Sequence, residues 1–326
     1  MMYLMILAGF VFLLGGAEVF VRGAVAIAAR LNVSPLLIGL TIVAFGTSAP
    51  EMLVSLDAAL TGAGNMALGN VIGSNIANLL LIVGAAALVK PIMVKPMAMI
   101  GDTAMLVGGS LLFAFFCWYG EIGIWQGAVL LTALFIFLGD SYRREASGAD
   151  PEAAELHIQE IEEYKGLGGA MWVLWMTLLA GLAGLVFGAD LLVEGGVAVA
   201  REFGIPEEVI GLTVLAIGTS LPELAASIVA AVRGHSDIAI GNVVGSNMFN
   251  VLAVVGLVTM VTPLNAPIQI LEFDLWVMLA VTIFMIPYLL GKLRLGRVAS
   301  VLFLTAYAAY ISLQAYGVSG ALAFIS

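Results

Sequence analysis

The segment from residue 39 to residue 78 occurs twice in this chain, and its copy lies 172 positions later with no gap between them. Ile38–Glu51 reads IGLTIVAFGTSAPE, and Ile210–Glu223 reads IGLTVLAIGTSLPE. Gly69–Asn78 reads GNVIGSNIAN, and Gly241–Asn250 reads GNVVGSNMFN. About half of the positions from Ile38 to Gly84 are identical in the two copies, well above what shared apolar composition produces. Each copy carries one carboxylate, Glu51 or Glu223, in an otherwise apolar stretch. Two matched acids beside Gly, Pro, Ser, Thr and Asn point to a cation path through a membrane.

Composition supports the membrane. The chain is 62% hydrophobic and 10% charged, with mean hydropathy +1.11; soluble domains carry roughly 25% charged residues. The expected solvent is a lipid bilayer. The net charge of −10 comes largely from one acidic stretch, and the absence of a basic patch argues against nucleic acid. Cys117 is the single cysteine and sits in an apolar run, so it reads as a packing residue. His157 and His235 are too far apart to suggest a metal site by spacing. The apolar N-terminus is not read as a signal peptide. It has no basic leading region, and GAEVFVRGAVAIA (Gly16–Ala28) is echoed by GADLLVEGGVAVA (Gly188–Ala200) at the same offset.

Runs long enough to span, at about 20 residues each, fall near 3–29, 35–60, 66–89, 99–118, 122–139, 169–199, 206–232, 238–261, 271–290 and 297–316. The expected fold is therefore all-α and integral to the membrane: ten transmembrane helices in two five-helix repeats, 1–139 and 169–326, joined by an acidic linker, 140–168. Five is odd, so the repeats are expected to be inverted. With both termini outside, Arg22, Arg30, Lys90, Lys95, Arg143, Arg144, Lys165, Arg233, Lys292, Arg294 and Arg297 fall on or near cytoplasmic connections, and only Arg201 falls outside. Inverted repeats commonly frame a central site and permit alternating access.

Proline cannot donate to the carbonyl four residues back. Pro50 should free Gly46, and Pro222 should free Gly218, breaking each helix within the membrane. Freed carbonyls there must line a polar cavity or find partners. Thr47, Ser48, Thr219 and Ser220 add hydroxyl oxygens. Asn70, Ser74 and Asn78 share one helix face, as do Asn242, Ser246 and Asn250. Asn70 and Asn242 could equally serve as hydrogen-bond glue between helices, and Asn75 and Asn247 face elsewhere and read as structural. Gly69/Gly73 and Gly241/Gly245 allow close helix approach. Oxygen donors without Cys or His suit Na⁺, Ca²⁺ or Mg²⁺, and two carboxylates match the charge of one Ca²⁺.

The paired G-T-S-x-P-E and G-S-N-x-x-N segments resemble the two α-repeats of the cation/Ca²⁺ exchanger superfamily, and most closely the prokaryotic Na⁺/Ca²⁺ exchangers. The resemblance covers almost the whole chain. It implies central cation sites lined by Ala44 (carbonyl), Thr47, Ser48, Glu51, Ser74 and Asn78, and by Ala216 (carbonyl), Thr219, Ser220, Glu223, Ser246 and Asn250. It also implies that both glutamates bind Ca²⁺, that Na⁺ competes for overlapping oxygens, and that the first and sixth helices slide on their small-residue surfaces. Several relatives have Asp where Asn250 stands. Asn at both matched positions resembles K⁺-independent exchangers that couple three Na⁺ to one Ca²⁺. No cofactor and no obligatory protein partner is implied. The expected location is the inner (plasma) membrane of a prokaryote.

Other acids are weaker candidates. Glu18 and Asp190 match by offset and could line an access path or pair helices; Asp102 and Asp274 match near helix starts and read as structural. Asp57 has Val229 opposite it, and the linker acids Glu152, Glu155, Glu160, Glu162 and Glu163 lack an EF-hand pattern. The rival expectations are H⁺/Ca²⁺ exchange on the same fold, a passive channel, and an intramembrane hydrolase. The last lacks a His/Cys metal motif and a nucleophile–base pair.

Overall fold

The structure is a computed structural model, and it describes residues 1–94, 96–146, 170–203 and 216–316. Apolar sequence of helical length becomes helix in every described part. In the first half lie α1 (Met2–Leu31), α2 (Pro35–Thr47), α3 (Ala49–Leu60), α4 (Gly64–Val89), α5 (Pro96–Tyr119) and α6 (Ile124–Ala146). The second half has α7 (Met171–Glu202), a helical turn at Ala216–Gly218, then α8 (Leu221–Arg233), α9 (Ser236–Val261), α10 (Ile270–Leu289) and α11 (Arg297–Tyr316). Seven described helices are long and apolar enough to cross a membrane, or eight when α2 and α3 count as one bent span. The first residues of the expected span 206–232 lie outside the described residues, as does most of the linker. The protein is an all-helical membrane protein.

The α6 helix continues seven residues past its apolar run, into the expected linker. Asp140 accepts from Arg144 four residues on, at 2.9 Å, and such a pair favours helix where burial no longer decides. The next residue, Glu145, then reaches back to the start of α2. Its carboxylate accepts from the Ser34 backbone N–H (2.6 Å) and hydroxyl (2.7 Å), while Ser34 also caps α2 through the Leu37 N–H.

The halves interlock reciprocally. The stretch after α4 meets the stretch before α11 in an isolated bridge, Ile92 to Leu295. At nearly matched positions, β1 (Glu121–Ile122) pairs antiparallel with β2 (Leu264–Asn265). Asp102 and Asp274 tie neighbouring helices, in keeping with a structural role. Asp102 accepts from Arg144 and Ser141 of α6, and Asp274 accepts from Tyr310 and Gln314 of α11. Cys117 is buried in packing.

The glycines of α1 and α7 serve mainly the crossing of these two helices with each other. A Cβ on Gly16 would lie 2.5 Å from the Leu185 nitrogen, and one on Gly188 would strike the Leu13 backbone. Glu18 of α1 faces α8, where it pairs with Arg233 (2.5 Å) and with its own neighbour Arg22 (2.6 Å).

Candidate functional site

Each broken helix bends where the sequence places Pro. Between α2 and α3 the chain turns by 42°, at Ser48 (φ −83°, ψ 2°). The second copy repeats the break at Ser220 (φ −90°, ψ 4°). Pro50 and Pro222 stand in the first turn of α3 and α8, where a missing N–H costs nothing. Glu51 and Glu223 follow directly and are therefore held in first turns, which suits an anion. Both are 1% exposed.

The breaks bring the halves together. Ser48 donates to Glu223 Oε1 at 3.1 Å, and Ser220 donates to Glu51 Oε1 at 3.2 Å. The two acids thus share one crossing, each held by a serine of the opposite copy. Asn242 brings α9 to the same place. Its amide donates to the Glu223 carbonyl (3.4 Å) and to Ser227 (3.0 Å), and its oxygen accepts from Thr47 (3.0 Å). Asn70 donates in the same way to the Glu51 carbonyl (3.3 Å) and Ser55 (2.9 Å). These two asparagines therefore act as glue between helices.

Among the described residues, seven buried side-chain oxygens have no hydrogen-bond partner. Six of them are Glu51 Oε2, Asn78 Oδ1, Thr219 Oγ1, Glu223 Oε2, Ser246 Oγ and Asn250 Oδ1; the seventh, Thr103 Oγ1, lies on α5. A buried unpaired polar group costs about 1–3 kcal/mol. The six from matched motifs are oxygens of the kind that suits a hard cation rather than Cys- or His-seeking metals.

The remaining candidates differ in detail. Ser74 is buried on α4. The Ala44 carbonyl accepts from the Ser48 N–H (3.0 Å) and, more weakly, from the Thr47 hydroxyl (3.4 Å). Ala216 opens the helical turn before the second break. Asp57 and Asp190 are exposed. Asn75 and Asn247, read from sequence as facing elsewhere and structural, each hold an asparagine of the other half. Asn78 donates to Asn247 Oδ1 (3.2 Å), and Asn250 donates to Asn75 Oδ1 (3.3 Å). A wider helix turn begins at Asn78 and another spans Phe249–Val254; such π-turns recur at functional positions.

A membrane bundle with two buried carboxylates at the crossing of its broken helices, and buried unpartnered oxygens in the same motifs, defines a membrane protein suited to hard cations. The family model for "Sodium/calcium exchanger protein" matches residues 1–142 and 173–316, and the chain belongs to that family. It is a family of transporters rather than enzymes, and needs no cofactor. CaxA of Alkalimonas amylolytica is 41% identical over 310 residues, covering 94% of this chain and 96% of CaxA. The sodium/calcium exchanger MaX1 of Methanosarcina acetivorans is 33% identical over 348 aligned positions, covering 96% of this chain and 98% of MaX1. The solved structure of the sodium-calcium exchanger NCX_Mj, soaked with 10 mM Na⁺ and zero Ca²⁺, matches with a TM-score of 0.80 at 29% identity. That match covers 96% of this chain and 99% of NCX_Mj.

Proposed function

We propose that this chain is a secondary antiporter exchanging Na⁺ for Ca²⁺ by alternating access. The ions bind to oxygens of Ala44, Thr47, Ser48, Glu51, Ser74 and Asn78 from one half. Ala216, Thr219, Ser220, Glu223, Ser246 and Asn250 supply those of the other. The observation that carries this reading is the coincidence of the six unpartnered buried oxygens with the doubled motifs. One Ca²⁺ neutralises the two carboxylates. Three Na⁺ sharing the same oxygens leave one net charge to cross, worth about 2.3 kcal/mol per 100 mV. Asn250 adds no third acid, which supports K⁺-independent exchange.

The architecture proposed is two inverted five-helix halves in a prokaryotic plasma membrane, both termini outside and the linker cytoplasmic. The Lys/Arg bias supports it, as does Lys90, whose ammonium donates to the Val232 carbonyl (3.2 Å) near Arg233. In this orientation α2 and the start of α9 form the cytoplasmic side. A Cβ on Gly241 would lie 2.8 Å from the Leu36 carbonyl oxygen, so that side is closed. Gly69, its match in the first copy, is exposed. From the closed second face we infer an outward-facing conformation.

Reconstituted vesicles loaded with Na⁺ should take up ⁴⁵Ca²⁺, and uptake should stop when internal Na⁺ is removed. Uptake driven by a pH gradient without Na⁺ would transfer the coupling to protons. Flux that needs no counter-ion would make the protein a channel.

A further inference from the structure

An amide side chain offers an oxygen on one side and an NH₂ on the other, so an asparagine can serve a cation only if something fixes which side faces it. Asn250 is fixed by a relay that leads away from the site. Its NH₂ donates to Asn75 Oδ1 at 3.3 Å. The NH₂ of Asn75 in turn donates to the sulfur of Met278 on α10, at 3.7 Å. A thioether can only accept. Met278 is fully buried, as is Asn250, and Asn75 is 2% exposed, so water does not compete. The sulfur therefore selects the NH₂ of Asn75, which leaves Asn75 its oxygen for Asn250. The free atom of Asn250 is then Oδ1, one of the six unpartnered oxygens.

We propose that Asn75 is a positioning residue, and Met278 its anchor, which together turn the carbonyl oxygen of Asn250 toward the transported cation. Asn75 comes from the first copy and Asn250 from the second, so the relay makes the second half's ligand depend on the first half. It is one-sided. Asn247 holds Asn78 at the matched position, but the residue matching Met278 is Leu106, which has no acceptor, and Asn247 Nδ2 has no partner. This inference rests on the cation-site reading above.

The test uses Na⁺-loaded proteoliposomes of the full chain, with ⁴⁵Ca²⁺ as probe, and reads the KM for Ca²⁺. Loss of an outer partner of a metal ligand typically costs 10–100-fold in affinity. Asn75→Leu should raise KM by roughly tenfold or more. In an Asn250→Asp background the same change should have little effect, because a carboxylate presents oxygen whichever way it turns. Met278→Leu conserves volume and removes only the sulfur. It should raise KM by a smaller factor in the Asn250 protein, and not at all beside Asn250→Asp. An equal KM increase in both backgrounds would mean that Asn75 merely packs, and no increase in either would remove the relay; both results overturn the proposal. Should Asn75→Leu fail to fold, Met278→Leu carries the same comparison. Glu51→Gln serves as control: wild-type uptake there would overturn the cation-site reading itself, a failure distinct from that of the relay.

Discussion

The two copies of the repeat share the helix face GNVxGSN and use it differently. In the second copy, the face bearing Gly241 and Gly245 lies against α2. A Cβ on Gly245 would strike the Leu40 carbonyl and come within 2.6 Å of Ala44 Cβ. In the first copy, among the described residues, a Cβ on Gly69 or Gly73 would meet nothing within 4 Å. The stretch matching α2 falls largely outside the described residues, so it is under the alternating access proposed above that the difference reads as one of conformation. An inverted duplication lets a single structure display a closed side in one half and an open side in the other.

A second difference is chemical. Glu18 of α1 pairs with Arg22 and Arg233. The matched positions hold Asp190, Glu194 and Thr61, two acids and a hydroxyl. The ion pair between α1 and α8 thus has no equivalent at the matched positions, and under the alternating access proposed above it favours the present conformation.

The largest effect expected is symmetric. Glu51→Gln and Glu223→Gln should each lower Na⁺-driven ⁴⁵Ca²⁺ uptake by about 100-fold or more, because a charged ligand contributes several kcal/mol. Both proteins should remain folded, as judged by monodisperse elution. Robust uptake by either one would break the equivalence of the halves at the site.

The next effect separates the halves. Gly245→Ala should lower thermal stability, since overpacking costs about 1–3 kcal/mol. Gly73→Ala should leave the melting temperature unchanged but slow exchange, because the opposite conformation must close on that face. Equal melting shifts for the two variants would show that the asymmetry is not the resting state.

The smallest effect concerns the ion pair. Ion pairs with exposed members contribute about 0.2–1 kcal/mol. Glu18→Gln and Arg233→Gln should each shift the balance of conformations toward the inward side by roughly two- to fivefold. Labelling of a cysteine placed at Gly69 in a Cys117→Ala protein would report that shift. Asp190→Asn should leave labelling unchanged; a shift as large as that of Glu18→Gln would cancel the chemical difference between the halves.

Much of the candidate site was legible because duplication marks it. Thr47, Ser48, Glu51 and their partners stand out only when the copies are aligned, and the Pro positions located both breaks. The partners of Asn75 and Asn247 were not legible for a physical reason. Helical periodicity puts them off the face of Asn78 and Asn250, but the surface they face is the other half, which a single helix does not reveal. The extent of α6 was hidden because its last turns rest on the Asp140–Arg144 pair rather than on apolar burial. The bridges Ile92–Leu295 and Glu121–Ile122 with Leu264–Asn265 are too short to carry a strand pattern.

The central claim is that acids from both halves hold one divalent cation. Anomalous scattering from a crystal soaked in Ca²⁺ tests it most directly. The account predicts a strong peak within coordination distance of both Glu51 and Glu223, lost in Glu51→Gln. A peak that touches neither carboxylate, or no peak at saturating Ca²⁺, would contradict it.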